Sequence, residues 1–183
     1  MSLGCLILTG GASSRMGEDK ACADWLGRRA VDRVADLARA VGATTVLTVG
    51  PRKLGLDAVT DEQAGGGPVA GIAAGCATLH AGGCERALVL AVDAPTIRAP
   101  DLASLLDAPP PGAAFAHLHF PLVIDLASLP ATIVAHRSVA RLVTSAGLTL
   151  VEPPTEGYRR LRGANTPEER AALLRELELH EGL

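Results

Sequence analysis

Gly10 and Gly11 stand side by side near the N-terminus, followed by Ser13 and Ser14 and then by Arg15, Gly17 and Lys20. The uncharged run Leu6-Ile7-Leu8-Thr9 leads into them. Adjacent glycines let a ligand approach the backbone closely, because no Cβ stands in the way. A row of free N–H groups then forms a nest for phosphate or another anion, and cationic side chains nearby add full positive charge. The expected chemistry is a phosphate cradle served by Arg15 and Lys20. Spacing excludes two better-known glycine loops. A P-loop needs Lys directly after its second Gly and then Ser or Thr, whereas Gly17 precedes Glu18-Asp19-Lys20-Ala21. Gly10-Gly11-Ala12-Ser13-Ser14-Arg15 does not supply the G-x-G-x-x-G of dinucleotide sites. The plainer alternative is an ordinary strand-to-helix turn with surface charges, and two basic residues at ordered positions weigh against it.

A carboxylate is expected to face this cradle. Ala87-Leu88-Val89-Leu90-Ala91-Val92 is the most continuous apolar run, and Asp93-Ala94-Pro95 stands directly at its end. In open α/β sheets, ligand groups gather outside the carboxyl ends of strands. Mg²⁺ prefers one or two carboxylates plus phosphate oxygens, so Asp93 is the candidate metal ligand. A second glycine turn, Gly65-Gly66-Gly67-Pro68-Val69-Ala70-Gly71-Ile72, follows Asp61 and opens a helix of small residues to about Leu79. Its N-terminus offers a further anion site, and its Gly and Ala content allows either close packing or close ligand approach. His117 and His119 alternate on the stretch Ala113 to Ala127, and alternating histidines on a strand could bind metal. With no third ligand in sight they are expected to face solvent or substrate. Thr166 reads as the N-cap of the last helix, with Pro167 at its first position and Glu169 closing a capping box. Asn165 has no such local duty and is a candidate contact.

The elements that position these groups can be read from periodicity. Leu3–Leu8 is a strand that begins almost at the first residue, and Trp25-Leu26-Gly27 makes a short connection. Val31, Val34, Leu37, Ala38 and Val41 recur at helical spacing opposite Asp32, Arg33, Asp36 and Arg39, and Gly42 is placed to end that helix. Thr44 to Val49 is β-branched and reads as the second strand, with Leu56 to Thr60 as a short third. Ala87 to Val92 suits a central parallel strand buried on both faces. Leu102 to Leu106 is a short helix, and Pro109-Pro110-Pro111-Gly112 a hinge or boundary. Pro130 to Ala146 reads as a helix closed by Gly147, and Leu148 to Val151 as a strand. Arg159, Arg160 and Arg162 cluster before Gly163.

At 183 residues the chain is expected to form one domain. Apolar residues make up 48% but aromatics only 2%, so Ala, Val and Leu must fill the core. A net charge of −3 gives no electrostatic footprint for nucleic acid or an anionic membrane, so any phosphate affinity must be local. No apolar run reaches the length of a membrane span, and no basic leader precedes the first strand. Cys5, Cys22, Cys76 and Cys84 form no C-x-x-C pair, and their neighbours suit buried thiols in a reducing cytoplasm.

Four segments together resemble the molybdenum cofactor guanylyltransferases: the Gly-Gly-x-Ser-x-Arg-Met-Gly-x-Asp-Lys loop, Gly67-Pro68-Val69-Ala70-Gly71-Ile72, Asp93-Ala94-Pro95, and Asn165-Thr166-Pro167-Glu168. They occur in the family's order across nearly the whole chain. The resemblance implies a three-layer α/β/α, Rossmann-like nucleotidyltransferase fold with a mostly parallel central sheet. It implies transfer of GMP from GTP to molybdopterin, with Mg²⁺ and release of pyrophosphate. Residues 1–107 would form the nucleotide-binding part and 108–183 the acceptor-binding part. Leu8, Thr9, Gly10, Gly11, Thr48, Asp61 and Gly67 would lie at the nucleotide, Lys20 at its phosphates, Asp93 at the metal and Asn165 at molybdopterin. Arg15, Lys20 and Asp93 would carry the catalysis. Transient contact with molybdenum cofactor enzymes or their chaperones is a further implication. Three departures bear on base choice and acceptor identity. Thr48 stands where the family often has Asn, Gly163 replaces the first Asn of Asn-x-Asn-Thr-Pro, and the region from Pro109 to Leu126 is compact. The same fold could act with CTP on molybdopterin or with GTP on another small phosphate such as phospholactate. A nucleotide-binding regulator without turnover is the reading of a different class.

Overall fold

The computed structural model of the chain describes residues 1–9, 19–51, 54–59, 67–129 and 138–182. Gly10, Gly11, Arg15 and Asp61, proposed above on sequence grounds, lie outside the described residues. Among the described residues, seven strands form one sheet. The first, β1 (Leu3–Leu8), alternates its side chains between the two faces, so Cys5 and Ile7 enter one core and Leu6 and Leu8 the other. Asp24–Trp25 (β2) and Arg28–Arg29 (β3) make a small separate hairpin, with Leu26 and Gly27 both at positive φ in its turn. Helix α1 (Ala30–Ala40) follows, then β4 (Ala43–Val49), β5 (Asp57–Val59), α2 (Gly67–Ala81) and β6 (Arg86–Ala91). The second part contains a 3₁₀ turn at Ala99–Leu102, α3 (Ala103–Leu106), β7 (Gly112–Phe115), β8 (Leu122–Asp125), α4 (Val139–Ser145), β9 (Thr149–Val151), α5 (Tyr158–Arg162) and α6 (Pro167–Glu181).

The strand order is β5-β4-β1-β6-β8-β7-β9. β1 pairs in parallel with β4 on one side and β6 on the other, and β7 pairs in parallel with β9. β8 runs against both β6 and β7. The expected three-layer α/β/α architecture with a mostly parallel sheet is the one observed. One expectation needs correcting: β6 is parallel on its β1 side only, because β8 meets it antiparallel. β7 begins at Gly112, the last residue of the stretch read as a hinge or boundary, and belongs to the same seven-stranded sheet.

Helices α1, α3, α5 and α6 pack on one face, where Val31, Leu105, Leu161 and Leu173 share a core with Cys5, Ile7, Leu88 and Leu90. Helices α2 and α4 cover the other, where Ile72 and Leu142 meet Leu6, Leu47 and Val89. No helix among the described residues is long and apolar enough to cross a membrane. Helix α6 starts as its sequence requires: the Thr166 side chain accepts from the Glu169 N–H, and the Glu169 carboxylate accepts from the Thr166 N–H. Arg33, assigned above to the polar face of α1, is instead buried. Its guanidinium donates to the Trp25 carbonyl and pairs with Glu181 at the far end of the chain. Cys5, Cys76 and Cys84 are buried as expected, whereas Cys22 is exposed. Burial drives the Cys76 thiol up to about 12, which keeps it protonated and inert.

Helix α2 lies close against the sheet because of its small residues. A Cβ placed on Gly71 would come within 2.5 Å of Val49 Cγ1, and one on Gly75 within 2.7 Å of Leu6 Cδ2. Close packing is thus the role the structure assigns to these two glycines. Gly71→Ala is expected to cost about 1–3 kcal/mol, the scale of overpacking. Urea unfolding should show a lowered midpoint with an unchanged slope.

Candidate active site

The direction of chain progression reverses at β1. From β1 the chain crosses over α1 to β4 and β5, then returns over α2, on the opposite face, to β6 on the other side of β1. Such a reversal leaves a crevice outside the carboxyl ends of the two strands that flank it. A cleft of about 450 Å³ occupies this position, lined by Leu8, Thr9, Lys20 and Asp93 together with His117, His119, Tyr158 and Arg162.

Thr9 continues the ladder beyond β1, its N–H donating to the Val49 carbonyl at 3.0 Å and its hydroxyl to the same oxygen at 3.1 Å. Asp93 follows β6 after Val92, whose N–H donates to the Leu8 carbonyl at 3.2 Å. The turn that delivers Lys20 is built by Asp19, whose carboxylate accepts from the Ala21 N–H at 3.1 Å. Its carbonyl accepts from the Cys22 N–H at 2.9 Å. The Lys20 ammonium comes within 3.6 Å of Asp93 Oδ2 and donates to Asn165 Oδ1 at 3.3 Å. Residues from three distant parts of the chain therefore meet at one cation. Lys20 and Asp93 keep 31% and 29% of their side-chain surface exposed, enough for a ligand to reach both.

Helix α5, which also lines the cleft, rests on a buried ion pair. Arg160 of α5 donates from Nε to Asp101 Oδ2 at 2.8 Å and from a terminal nitrogen to Oδ1 at 2.7 Å. It also pairs with Glu176 of α6. Asp101 additionally accepts from the Arg98 N–H at 2.9 Å. Burial alone would raise the Asp101 carboxyl, but the hydrogen bonds from Arg160 and Arg98 and their charges outweigh it and hold it below its ordinary value. Its partner Arg160 is pushed upward, first by the hydrogen bonds to Asp101. The clamp fixes α5, which presents Tyr158, Leu161 and Arg162 to the cleft. Arg162 is held in turn by Glu169.

Leu8, Thr9, Lys20, Asp93 and Asn165 thus line one cleft. Gly67 is exposed at the start of α2, and its neighbour Pro68 lines the cleft. Thr48 is not among the described residues that line it. It is fully buried and its hydroxyl donates to the Asp57 carbonyl in β5, a bond between strands. His117 and His119 lie not on a strand but in the connection between β7 and β8, exposed and at the cleft. His117 takes a left-handed backbone conformation, φ 63°. Tyr158 and Phe120 were not singled out from sequence. Only the scarcity of aromatics distinguished them there. Among the described residues no three His, Cys, Asp or Glu side chains gather into a metal cage, and Asp93 is the one carboxylate among the cleft residues.

The MobA-like NTP transferase domain matches residues 5–122 of this chain. A protein of Opitutus terrae described as a probable molybdenum cofactor guanylyltransferase is 32% identical, the alignment covering 90% of this chain and 91% of that protein. Among solved structures, molybdopterin-guanine dinucleotide biosynthesis protein A from Archaeoglobus fulgidus superposes with a TM-score of 0.69 at 18% identity, over 96% of this chain and 99% of the other. The 2-C-methyl-D-erythritol 4-phosphate cytidylyltransferase of Thermus thermophilus superposes with a TM-score of 0.63 at 19% identity, over 96% and 98%. At these identities the two structures speak for the fold.

Because folding favours the ionised Asp101, its contribution to stability is complete above the ordinary value of 3.8 and is lost as pH falls through its lower folded value. Asp101→Asn should lower stability at neutral pH by about 3 kcal/mol, the scale of breaking a buried pair. Urea titrations repeated below pH 3.8 should show a shallower acid loss in the variant than in the parent.

Proposed function

The chain belongs to the MobA-like NTP transferase family and is a nucleotidyltransferase; we propose that it transfers GMP from GTP to molybdopterin and releases pyrophosphate. The observation that carries this reading is the meeting of Lys20, Asp93 and Asn165 at the carboxyl ends of β1 and β6. It is supported by the Opitutus relative, which matches along almost the whole chain. On this reading the nucleotide sits over residues of the first 107, beside Leu8 and Thr9. The acceptor lies against the wall formed by the β7–β8 connection, α5 and Asn165.

The reaction needs positioning and charge stabilisation more than covalent help from the protein. A phosphate oxygen of the acceptor forms a bond to the α-phosphorus. The bond from that phosphorus to the bridging oxygen breaks in line, and the electron pair leaves on pyrophosphate. Lys20 neutralises the charge that grows on the departing pyrophosphate, aided by Arg15. Asn165, through its amide, orients the acceptor phosphate beside Lys20. Asp93 suits a divalent cation. A single half-exposed carboxylate matches the needs of Mg²⁺, which takes one or two carboxylates and fills its remaining positions with phosphate oxygens and water. Held there by Asp93, the cation would supply positive charge that offsets the charge of the phosphate oxygens.

Pyrophosphate release tests the reading directly, using purified protein, Mg²⁺ and molybdopterin with GTP, CTP, ATP or UTP. Release with GTP alone is expected. Release with CTP would keep the mechanism and change the base, and nucleotide binding without release would point to another acceptor or to a regulator. Lys20→Ala should cut turnover by about 10²-fold or more, as when one charge-stabilising donor is lost. Full activity would end that role. Asp93→Ala should abolish Mg²⁺-dependent turnover, and residual dependence would mean another ligand holds the cation.

A further inference from the structure

Asp93 extends from the end of β6 into the cleft, and its backbone is held from above by residues seventy positions later in the chain. The Asp93 carbonyl accepts from the Ala164 N–H at 3.0 Å. Gly163, just before, has φ 70° and ψ −172°, a region that is essentially closed to residues with a Cβ. A Cβ on Gly163 would stand 2.5 Å from the Asp93 carbonyl oxygen, 3.0 Å from its carbon and 3.2 Å from Ala94 Cβ. Asn165, just after, accepts from Lys20. Three consecutive residues therefore brace both Lys20 and Asp93. The brace is itself fixed, since Glu169 accepts from the Asn165 and Thr166 N–H groups at 2.8 and 3.1 Å and pairs with Arg162.

We propose that Gly163 is a positioning residue for the cation-holding carboxylate: its lack of a side chain lets segment 163–165 seat on the Asp93 backbone and hold Asp93 and Lys20 at their working separation. This rests on the reading of Asp93 as the ligand of a divalent cation. Within it, the glycine that departs from the family's Asn is a requirement of this backbone. Restoring a side chain there displaces either Asp93 or the brace, because the two nearest obstructing atoms are main-chain and cannot rotate away. The Lys20–Asn165 contact then loosens together with Asp93, since both depend on one three-residue segment.

Trp25, the one tryptophan of the chain, lines a small cavity with Lys20, Asp93 and Ala164 and so reports on this region by fluorescence. The test compares the parent with Gly163→Ala and with Gly147→Ala. Gly147 has a similar φ of 66°, but a Cβ there would meet only Pro111 Cγ at 3.7 Å. Two readouts are taken: hydrogen exchange of the Ala164 amide without ligand, and the Mg²⁺ concentration needed for half-maximal quenching of Trp25 by GTP. Gly163→Ala is expected to lose Ala164 protection and to raise the required Mg²⁺ about ten- to hundredfold, the usual effect of removing support behind a metal ligand. Gly147→Ala should change neither. Retained Ala164 protection, an unchanged Mg²⁺ requirement, or the same shift in both variants would overturn the proposal. Should Gly163→Ala fail to fold, the parent decides: Mg²⁺ with GTP should slow exchange at Ala164, and unaltered exchange would count against the brace. A parent quenched by CTP and not by GTP, with the Gly163→Ala shift intact, would uphold Gly163 and overturn the guanine reading instead.

Discussion

A sheet wound in both directions from one strand must send its crossovers to opposite faces, and the two strands at the parting are left with nothing bridging their carboxyl ends. Here those strands are β1 and β6. The constraint decides where chemistry is possible before any side chain is chosen. Leu8 and Thr9 arrive at the opening because β1 ends there, and Asp93 because β6 does. Lys20 is brought back to the same point by the turn built on Asp19, and Asn165 by the approach to α6. Tight seating of α2 against β1 and β4 through Gly71 and Gly75 keeps the other face of the opening closed by packed apolar side chains.

Charges in this molecule divide into those that hold the frame and those left accessible. Asp101 and Arg160 are nearly excluded from solvent and satisfy each other with two hydrogen bonds. Such a pair must be well bonded to offset its desolvation, and its value lies largely in fixing geometry. Lys20 and Asp93 are wetter, at 3.6 Å, and a pair so exposed adds little to folding. The same chemical types thus do different work at two depths. The buried pair secures α5, and the exposed pair waits beside the cleft.

Much of the frame was legible in local pattern. β1 and β6 follow from short apolar runs, α1 from helical periodicity, β4 from β-branched residues and α2 from small residues after a glycine turn, and the Thr166 capping box marked the start of α6 within the residue. What local pattern cannot carry is partnership at long range. Arg33 looked like a surface residue because Glu181, which pairs with it, is 148 positions away. Arg159, Arg160 and Arg162 are alike in type and nearly adjacent, yet only the packing of α5 sends Arg160 inward and Arg162 to the cleft. Thr48 was placed by analogy with a family position, and the pleat turns it into the interior. Strand direction was equally hidden, since a short apolar run such as Leu122-Val123-Ile124 reads the same either way along a sheet.

The reversal of β8 has a consequence for how such proteins diversify. Because β8 runs against β7, the two are joined by a hairpin connection directly at the mouth of the cleft. Connections of this kind accept changes of length and composition far more readily than the strands they join. On the reading proposed here, part of the wall that meets the acceptor sits on that replaceable piece, while Leu8 and Thr9, beside the nucleotide, sit at the end of a parallel strand that cannot be altered without disturbing the sheet. Acceptor choice is then a separable trait. A lineage can exchange one small phosphorylated partner for another by rewriting a handful of loop positions, and keep its triphosphate chemistry intact throughout.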